Sequence, residues 1–140
     1  MRVGKVTKFA SSATNQFIID SSFILSLLLP DENQSEVVQL FDQYTSGKVT
    51  LIAPTLLQYE VINGLKGAIL RKRLNLKEAI VLINQFSDLT ITIKNISLTE
   101  VIKTASDKNI SVYDASYLYL SKLQGIPLLT LDQKLQSLVS

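Results

Sequence analysis

The chain has 140 residues, 46% of them hydrophobic and 19% charged, and its 14 basic and 12 acidic residues leave a formal charge of +2. That is one domain's length, and a chain this size buries roughly 68–70% of its unfolded surface, so it needs no disulfides to hold a core. The low charge fraction excludes a disordered chain or a charged coiled coil, and the near-neutral balance does not by itself announce a nucleic-acid binder.

Residues 1–15 carry Arg2, Lys5 and Lys8 and no acid. The segment lacks the apolar stretch of a secretory signal and reads as a solvated basic tail ahead of a domain over 16–140, in a cytoplasmic protein. Phe17-Ile18-Ile19 reads as a buried strand, and Asp20-Ser21-Ser22 supplies helix-start chemistry for the run 23–29. That run is interrupted by Ser26 and falls far short of the roughly 18 residues a membrane span requires. Pro30-Asp31-Glu32 breaks the chain, and Val37, Val38, Leu40, Phe41 and Tyr44 follow at helical spacing as far as Gly47.

Val49–Ala53 reads as a second strand stopped by Pro54, with Thr55 capping a helix that runs to Arg71-Lys72-Arg73. A helix is expected over 76–86 and a third strand over 89–93. Ser97 and Glu100 form a capping-box pattern for a helix reaching about Asp107. Tyr113–Gln124 is helical and closed by Gly125, Ile126–Leu131 is a fourth strand, and a short helix follows Asp132. Strands separated by helices, without hairpin turns, predict an α/β class: a three-layer α/β/α sandwich around a parallel sheet of four or five strands.

The chain contains neither Cys nor His. That excludes thiol nucleophiles, thiolate zinc, iron–sulfur clusters, Ser–His–Asp triads and imidazole acid–base chemistry. Catalysis would fall to carboxylates, hydroxyls, Lys, Arg or a hard cation. Of the twelve acids, eight stand in polar stretches, whereas Asp20, Glu60, Asp114 and Asp132 lie in apolar surroundings.

Asp20 and Asp132 follow strands, Asp114 opens a helix, and Glu60 falls in the second turn of another, too late to cap it. Three of the four therefore face the sheet edge where ligands of open parallel sheets bind. Each Asp has a competing reading as a helix N-cap. Gly64 and Gly67 share the Glu60 face, either to admit a packed neighbour or to leave room for a ligand. Several carboxylates about 4 Å apart repel by roughly 4 kcal/mol per pair, so either protons or a divalent cation must accompany them. An all-oxygen set suits Mg2+ or Mn2+ and metal-assisted phosphodiester hydrolysis.

The strings Phe-Ile-Ile-Asp-Ser-Ser, Tyr-Glu-Val-Ile-Asn-Gly-Leu, Tyr-Asp-Ala-Ser-Tyr-Leu-Tyr-Leu and Leu-Leu-Thr-Leu-Asp-Gln-Lys-Leu, in this order, resemble the PIN-domain nucleases. The nearest subgroup is the VapC-type toxin ribonucleases of toxin–antitoxin pairs. The resemblance implies a divalent-metal-dependent endoribonuclease in which Asp20, Glu60 and Asp114 hold the metal directly or through water. Asp132 would complete the pocket, and Ser21, Ser22 and Asn63 would position ligands or substrate. It further implies a homodimer held inactive by a cognate antitoxin.

Lys66, Arg71, Lys72, Arg73 and Lys77 offer positive charge to RNA, against a simpler role at the helix C-terminus. The tyrosines near Asp114 read as core and rim. The competing functional reading is a catalytically inactive RNA- or protein-binding module on the same scaffold. A phospho-acceptor receiver or haloacid-dehalogenase-type phosphatase would want a second acid after Asp20, where Ser21 and Ser22 stand.

Overall fold

The computed structural model describes residues 15–139. Most of the basic segment expected over 1–15 therefore lies outside the described residues. The apolar β-branched run of the first strand forms β1 (Gln16–Ile19), whose Phe17, Ile18 and Ile19 are fully buried. Helix α1 (Ser21–Leu28) starts directly after it, capped by Asp20. A single 3-10 turn, Pro30–Glu32, follows, and then α2 (Ser35–Thr45). Gly47 ends that segment with φ of 77°, and its N–H donates to the Tyr44 carbonyl.

Strand β2 (Thr50–Pro54) leads into α3 (Leu57–Leu70) and α4 (Leu76–Ser87). After β3 (Thr92–Lys94) come α5 (Leu98–Lys108), α6 (Val112–Gln124), β4 (Leu128–Leu129) and α7 (Gln133–Val139). The four strands pair in parallel in the order β3-β2-β1-β4. Helices α1 to α4 pack together on one side of the sheet. On the other, α6 lies along β1, β2 and β4 and carries α5 and α7. The expected three-layer α/β/α sandwich is formed, with four strands. Its core joins β1, β2 and β4 to α1 and α3, and a smaller cluster of Val101, Ala105 and Ala115 seals α5 onto α6.

Several local expectations are corrected. Thr55 does not cap α3: the helix starts after Leu56, itself in αR, with no side-chain cap. Pro54 does not stop β2 but is its last residue, in register with Lys94. The third strand is not 89–93, because pairing with β2 begins only at Thr92, and the Thr90 N–H is taken by the Tyr44 hydroxyl. Leu89 and Ile91 still pack on the core, which is the source of the apolar alternation.

The fourth strand is only two residues long. Pro127 has no N–H to give, and the Leu131 N–H donates to Ser22 Oγ instead of a ladder partner. At Ser97 the side chain accepts from the Glu100 N–H, whereas the reciprocal capping box is completed by Asn75 and Glu78. Among the described residues no helix is long and apolar enough to cross a membrane.

Candidate functional site

Asp20 is the first residue beyond β1, and only 5% of it is exposed. Its Oδ1 accepts from the N–H groups of Ser22, at 3.1 Å, and Phe23, at 3.4 Å, so the expected N-cap role is real. Capping does not exhaust its contacts. The Ser22 hydroxyl donates to Oδ1 at 2.5 Å, and the Thr130 hydroxyl donates to Oδ2. Each of those hydroxyls also accepts a backbone N–H from the segment after β4, Ser22 from Leu131 at 2.9 Å and Thr130 from Asp132 at 3.0 Å. Two hydroxyls thus tie the carboxylate to the neighbouring strand end. None of these donors carries charge, and burial pushes the Asp20 carboxyl up to about 6 against their opposing pull.

Glu60 lies in the first turn of α3, not the second, because the helix starts one residue later than the Thr55 cap implied. Its side chain turns towards α6, where the Tyr117 hydroxyl donates to Oε1 at 2.6 Å. Tyr117 is only 1% exposed. Partial burial raises the Glu60 pKa, the Tyr117 bond lowers it, the Asp114 charge raises it again, and the Ser21 hydroxyl lowers it. Asp114 does not cap α6. Ser111 does, accepting from the Asp114 N–H at 3.0 Å, which leaves the Asp114 carboxylate free of that duty.

The Asp114 pKa is raised by burial and then by the Asp132 charge, with Lys134 pulling the other way. Asp132 is exposed and caps α7 through the N–H groups of Lys134, at 2.8 Å, and Leu135, at 3.2 Å. The phenol of Tyr117 is itself held protonated by burial, by its bond to Glu60 and by the fields of Glu60, Asp20 and Asp114. Glu60 thus meets the buried Tyr117 hydroxyl directly, the charges of Asp20 and Asp114 also act on that phenol, and the Asp132 charge acts on Asp114.

Every candidate ligand is an oxygen, and among the described residues Lys134, acting on Asp114, is the one cation that offsets burial at Asp20, Glu60 or Asp114. That donor set, and a repulsion among Glu60, Asp114 and Asp132 that Lys134 offsets only in part, fit a hard divalent cation. Among the described residues no three acids group tightly enough to ligate one ion by themselves.

Beside the acids opens a cavity of about 710 Å³, lined by Leu56, Tyr59, Glu60, Asn63, Lys66 and Tyr113 among others. Asn63 stands one turn on from Glu60 and Lys66 one turn beyond Asn63, and all three line this cavity. The basic cluster at the other end of α3 does not: Arg71 is eleven residues from Glu60, about 16 Å along the axis. Arg73 is engaged by Asp31, at 3.0 and 2.8 Å, and by Glu32, at 2.6 Å. Of the two glycines, Gly64 admits a neighbour, since a Cβ there would overlap the Leu25 side chain of α1. Gly67 faces the Arg71 guanidinium.

Tyr117 and Thr130 are the contributors that sequence reasoning passed over. A Tyr three residues after Asp114, one helical turn on, and a Thr two residues before Asp132, at the end of the apolar run that carries β4, were the available signals.

In fold, the chain is similar to PAE2754 from Pyrobaculum aerophilum, with a TM-score of 0.70 and 22% identity over 87% of this chain and 78% of that one. It is also similar to Mycobacterium tuberculosis VapC20, described as a sarcin–ricin loop cleaving toxin, with a TM-score of 0.60 and 12% identity over 86% of this chain and 93% of that one. No curated protein matches the chain in sequence. The family model for the PIN domain matches residues 17–139, almost the whole length and all four acids, and the chain belongs to the PIN-domain family of nucleases.

Proposed function

We propose that this chain is a divalent-metal-dependent endoribonuclease that hydrolyses RNA phosphodiester bonds, and that it serves as the toxin of a toxin–antitoxin pair. The observation that carries the reading is the buried Asp20 carboxylate, clamped by neutral hydroxyls at the end of a central parallel strand, with Glu60 held by the Tyr117 phenol on which the charges of Asp20 and Asp114 also act. Nothing in a fold needs three acids there, and each is disfavoured as an anion.

Asp20, Glu60 and Asp114 would hold Mg2+ or Mn2+, with Asp132 completing the acidic edge. Mg2+ is commonly held through one or two carboxylates with water completing its shell, so the absence of a tight carboxylate triad suits it. When bound, such a cation activates water and stabilises the charge that builds on the phosphodiester.

The chain's own groups prepare that site. Ser22 and Thr130 fix the two oxygens of Asp20, and Tyr117 fixes Glu60. Ser21, Ser22 and Asn63 position ligands or substrate. The toxin role, the antitoxin partner, the homodimer and a cytoplasmic setting follow the VapC likeness, which VapC20 supports through its fold and its description as a sarcin–ricin loop cleaving toxin.

The test is incubation of the purified chain with a structured RNA pool, with Mn2+ or Mg2+ and with EDTA, beside Asp20→Asn and Asp114→Asn. Cleavage lost on chelation and in both variants is the expected result. Full activity in either variant removes the acids from catalysis. Absence of both cleavage and metal binding moves the chain to the inactive binding-module reading.

A further inference from the structure

We infer that the cavity along α3 is a nucleobase subsite, in which Tyr59 and Tyr113 stack on unpaired bases of an RNA strand passing the carboxylates while Lys66 meets its phosphate. This rests on the nuclease reading for the identity of the strand. The two tyrosines come from different helices, yet both line the same cavity. Each stands one residue before an acid of the cluster, Tyr59 before Glu60 and Tyr113 before Asp114.

A step of one residue turns a helical side chain by about 100°, so the acid of each pair points inward while its tyrosine points out. Tyr59 is 74% exposed and Tyr113 58%, which is a large aromatic area to leave in water. Core packing does not account for it. In α6 the packing role belongs to Tyr117, buried four residues after Tyr113.

Beside the apolar Leu56 and Ile62, two polar residues of the lining suit a nucleotide. Asn63 and Lys66 follow Tyr59 at i+4 and i+7, on one stripe of α3. They supply an amide for base edges and a cation for phosphate. No ion pair among the described residues engages Lys66, in contrast to Arg73. The cavity volume of about 710 Å³ lies within the range of roughly 300–1,000 Å³ of ligand sites.

An RNA duplex keeps its base faces stacked on one another, whereas a single strand or loop can offer them to an aromatic ring. The subsite therefore selects unpaired RNA and sets which nucleotides lie beside the acids. A protein partner covering the same tyrosines is the competing occupant.

The experiment uses the whole 140-residue chain in EDTA, so that no cleavage step enters. A short fluorescein-labelled single-stranded RNA of mixed sequence is titrated by anisotropy, beside its duplex. The single strand binds more tightly than the duplex. Tyr59→Ala and Tyr113→Ala each weaken it by about 5- to 150-fold, the range for loss of one base–aromatic stack. Tyr59→Phe keeps the affinity, and Lys66→Ala lowers the salt dependence by about 0.7 of a counterion.

Unchanged affinity in both alanine variants overturns the inference, as does equal binding of duplex or no binding by the parent chain. So does a change of oligomeric state in the alanine variants, read by light scattering, with RNA affinity intact. The two readings separate cleanly. Metal-dependent cleavage that is indifferent to both tyrosines refutes the subsite alone. Tyrosine-dependent RNA binding by a chain that never cleaves refutes the nuclease alone.

Discussion

Replacing Asp20 by Asn separates the cost of this carboxylate from its use. Burial holds its pKa at about 6 against an ordinary 3.8. The folded chain therefore keeps this proton more tightly than the unfolded chain does. Its contribution to stability falls as pH rises from 3.8 towards about 6 and stays low above that. About two pH units at about 1.4 kcal/mol each make the ionised group cost about 3 kcal/mol near pH 8.

Asn removes that cost and keeps the cap, since its carbonyl still accepts from the Ser22 and Phe23 N–H groups. It loses the bond from Thr130, worth about 1 kcal/mol, because an amide N–H replaces Oδ2. The variant is thus more stable than the parent by about 1–2 kcal/mol near pH 8 without metal, or about 3–8 °C in Tm for a chain of this length. Near pH 4 the gain vanishes. Thermal unfolding followed by circular dichroism at both pH values, in EDTA and then in millimolar Mn2+, reads the effect. The parent is stabilised by Mn2+, whereas the variant is not and does not cleave RNA. A variant less stable than the parent near pH 8, or one with the parent's full Mn2+ response, refutes the reasoning.

Three further substitutions test the supports around the acids. Tyr117→Phe removes the one neutral donor that favours ionised Glu60 from α6, so the Mn2+ concentration at half-maximal cleavage rises by about tenfold, equivalent to about 1.4 kcal/mol. An unchanged metal dependence would show that the phenol merely fills space. Thr130→Val keeps the shape but strips Asp20 Oδ2 of its donor and the Asp132 N–H of its acceptor. Urea unfolding should report a loss of about 1–3 kcal/mol, with Thr130→Ser close to the parent. Gly64→Ala gains about 1 kcal/mol of helix propensity but crowds Leu25, at about 1–3 kcal/mol. A net loss of about 1 kcal/mol is expected, and Leu25→Ala in the same background should turn the alanine into a gain.

What could be read from the sequence was whatever a local pattern dictates. The apolar runs located β1 and most of β2, and helix periodicity with Gly47 and Gly125 located α2 and α6. Acids in apolar surroundings singled out Asp20, Glu60 and Asp114, because burial of the neighbours drags the acid inward. What escaped depends on partners distant in the chain. The Thr130–Asp20 bond spans 110 residues and the Tyr117–Glu60 bond 57, and no local period encodes either. Strand ends failed for a related reason. A strand ends where its ladder partner ends, so β3 and β4 are shorter than their apolar stretches. The competing cap readings also divided on such details. Ser111 relieves Asp114 of capping, whereas Asp132 does cap α7.

The distribution of cations gives the acidic cluster its meaning. The chain has fourteen basic residues, and it uses one of them, Arg73, to lock the turn at Asp31 and Glu32. There the bidentate contact holds the Asp31 carboxyl below its ordinary range. Around Asp20 it uses hydroxyls and backbone N–H groups instead, which orient a carboxylate without neutralising it. An arginine in the place of Thr130 would relieve the buried charge and would equally remove the affinity for any other cation. Hydroxyl supports keep Asp20 in one geometry and leave its charge unanswered, so that under the proposed metal-dependent function the cost of burial would be returned on binding a divalent cation. On this view the neutral donors Ser22, Thr130 and Tyr117 are as much a part of the candidate site as the acids they hold.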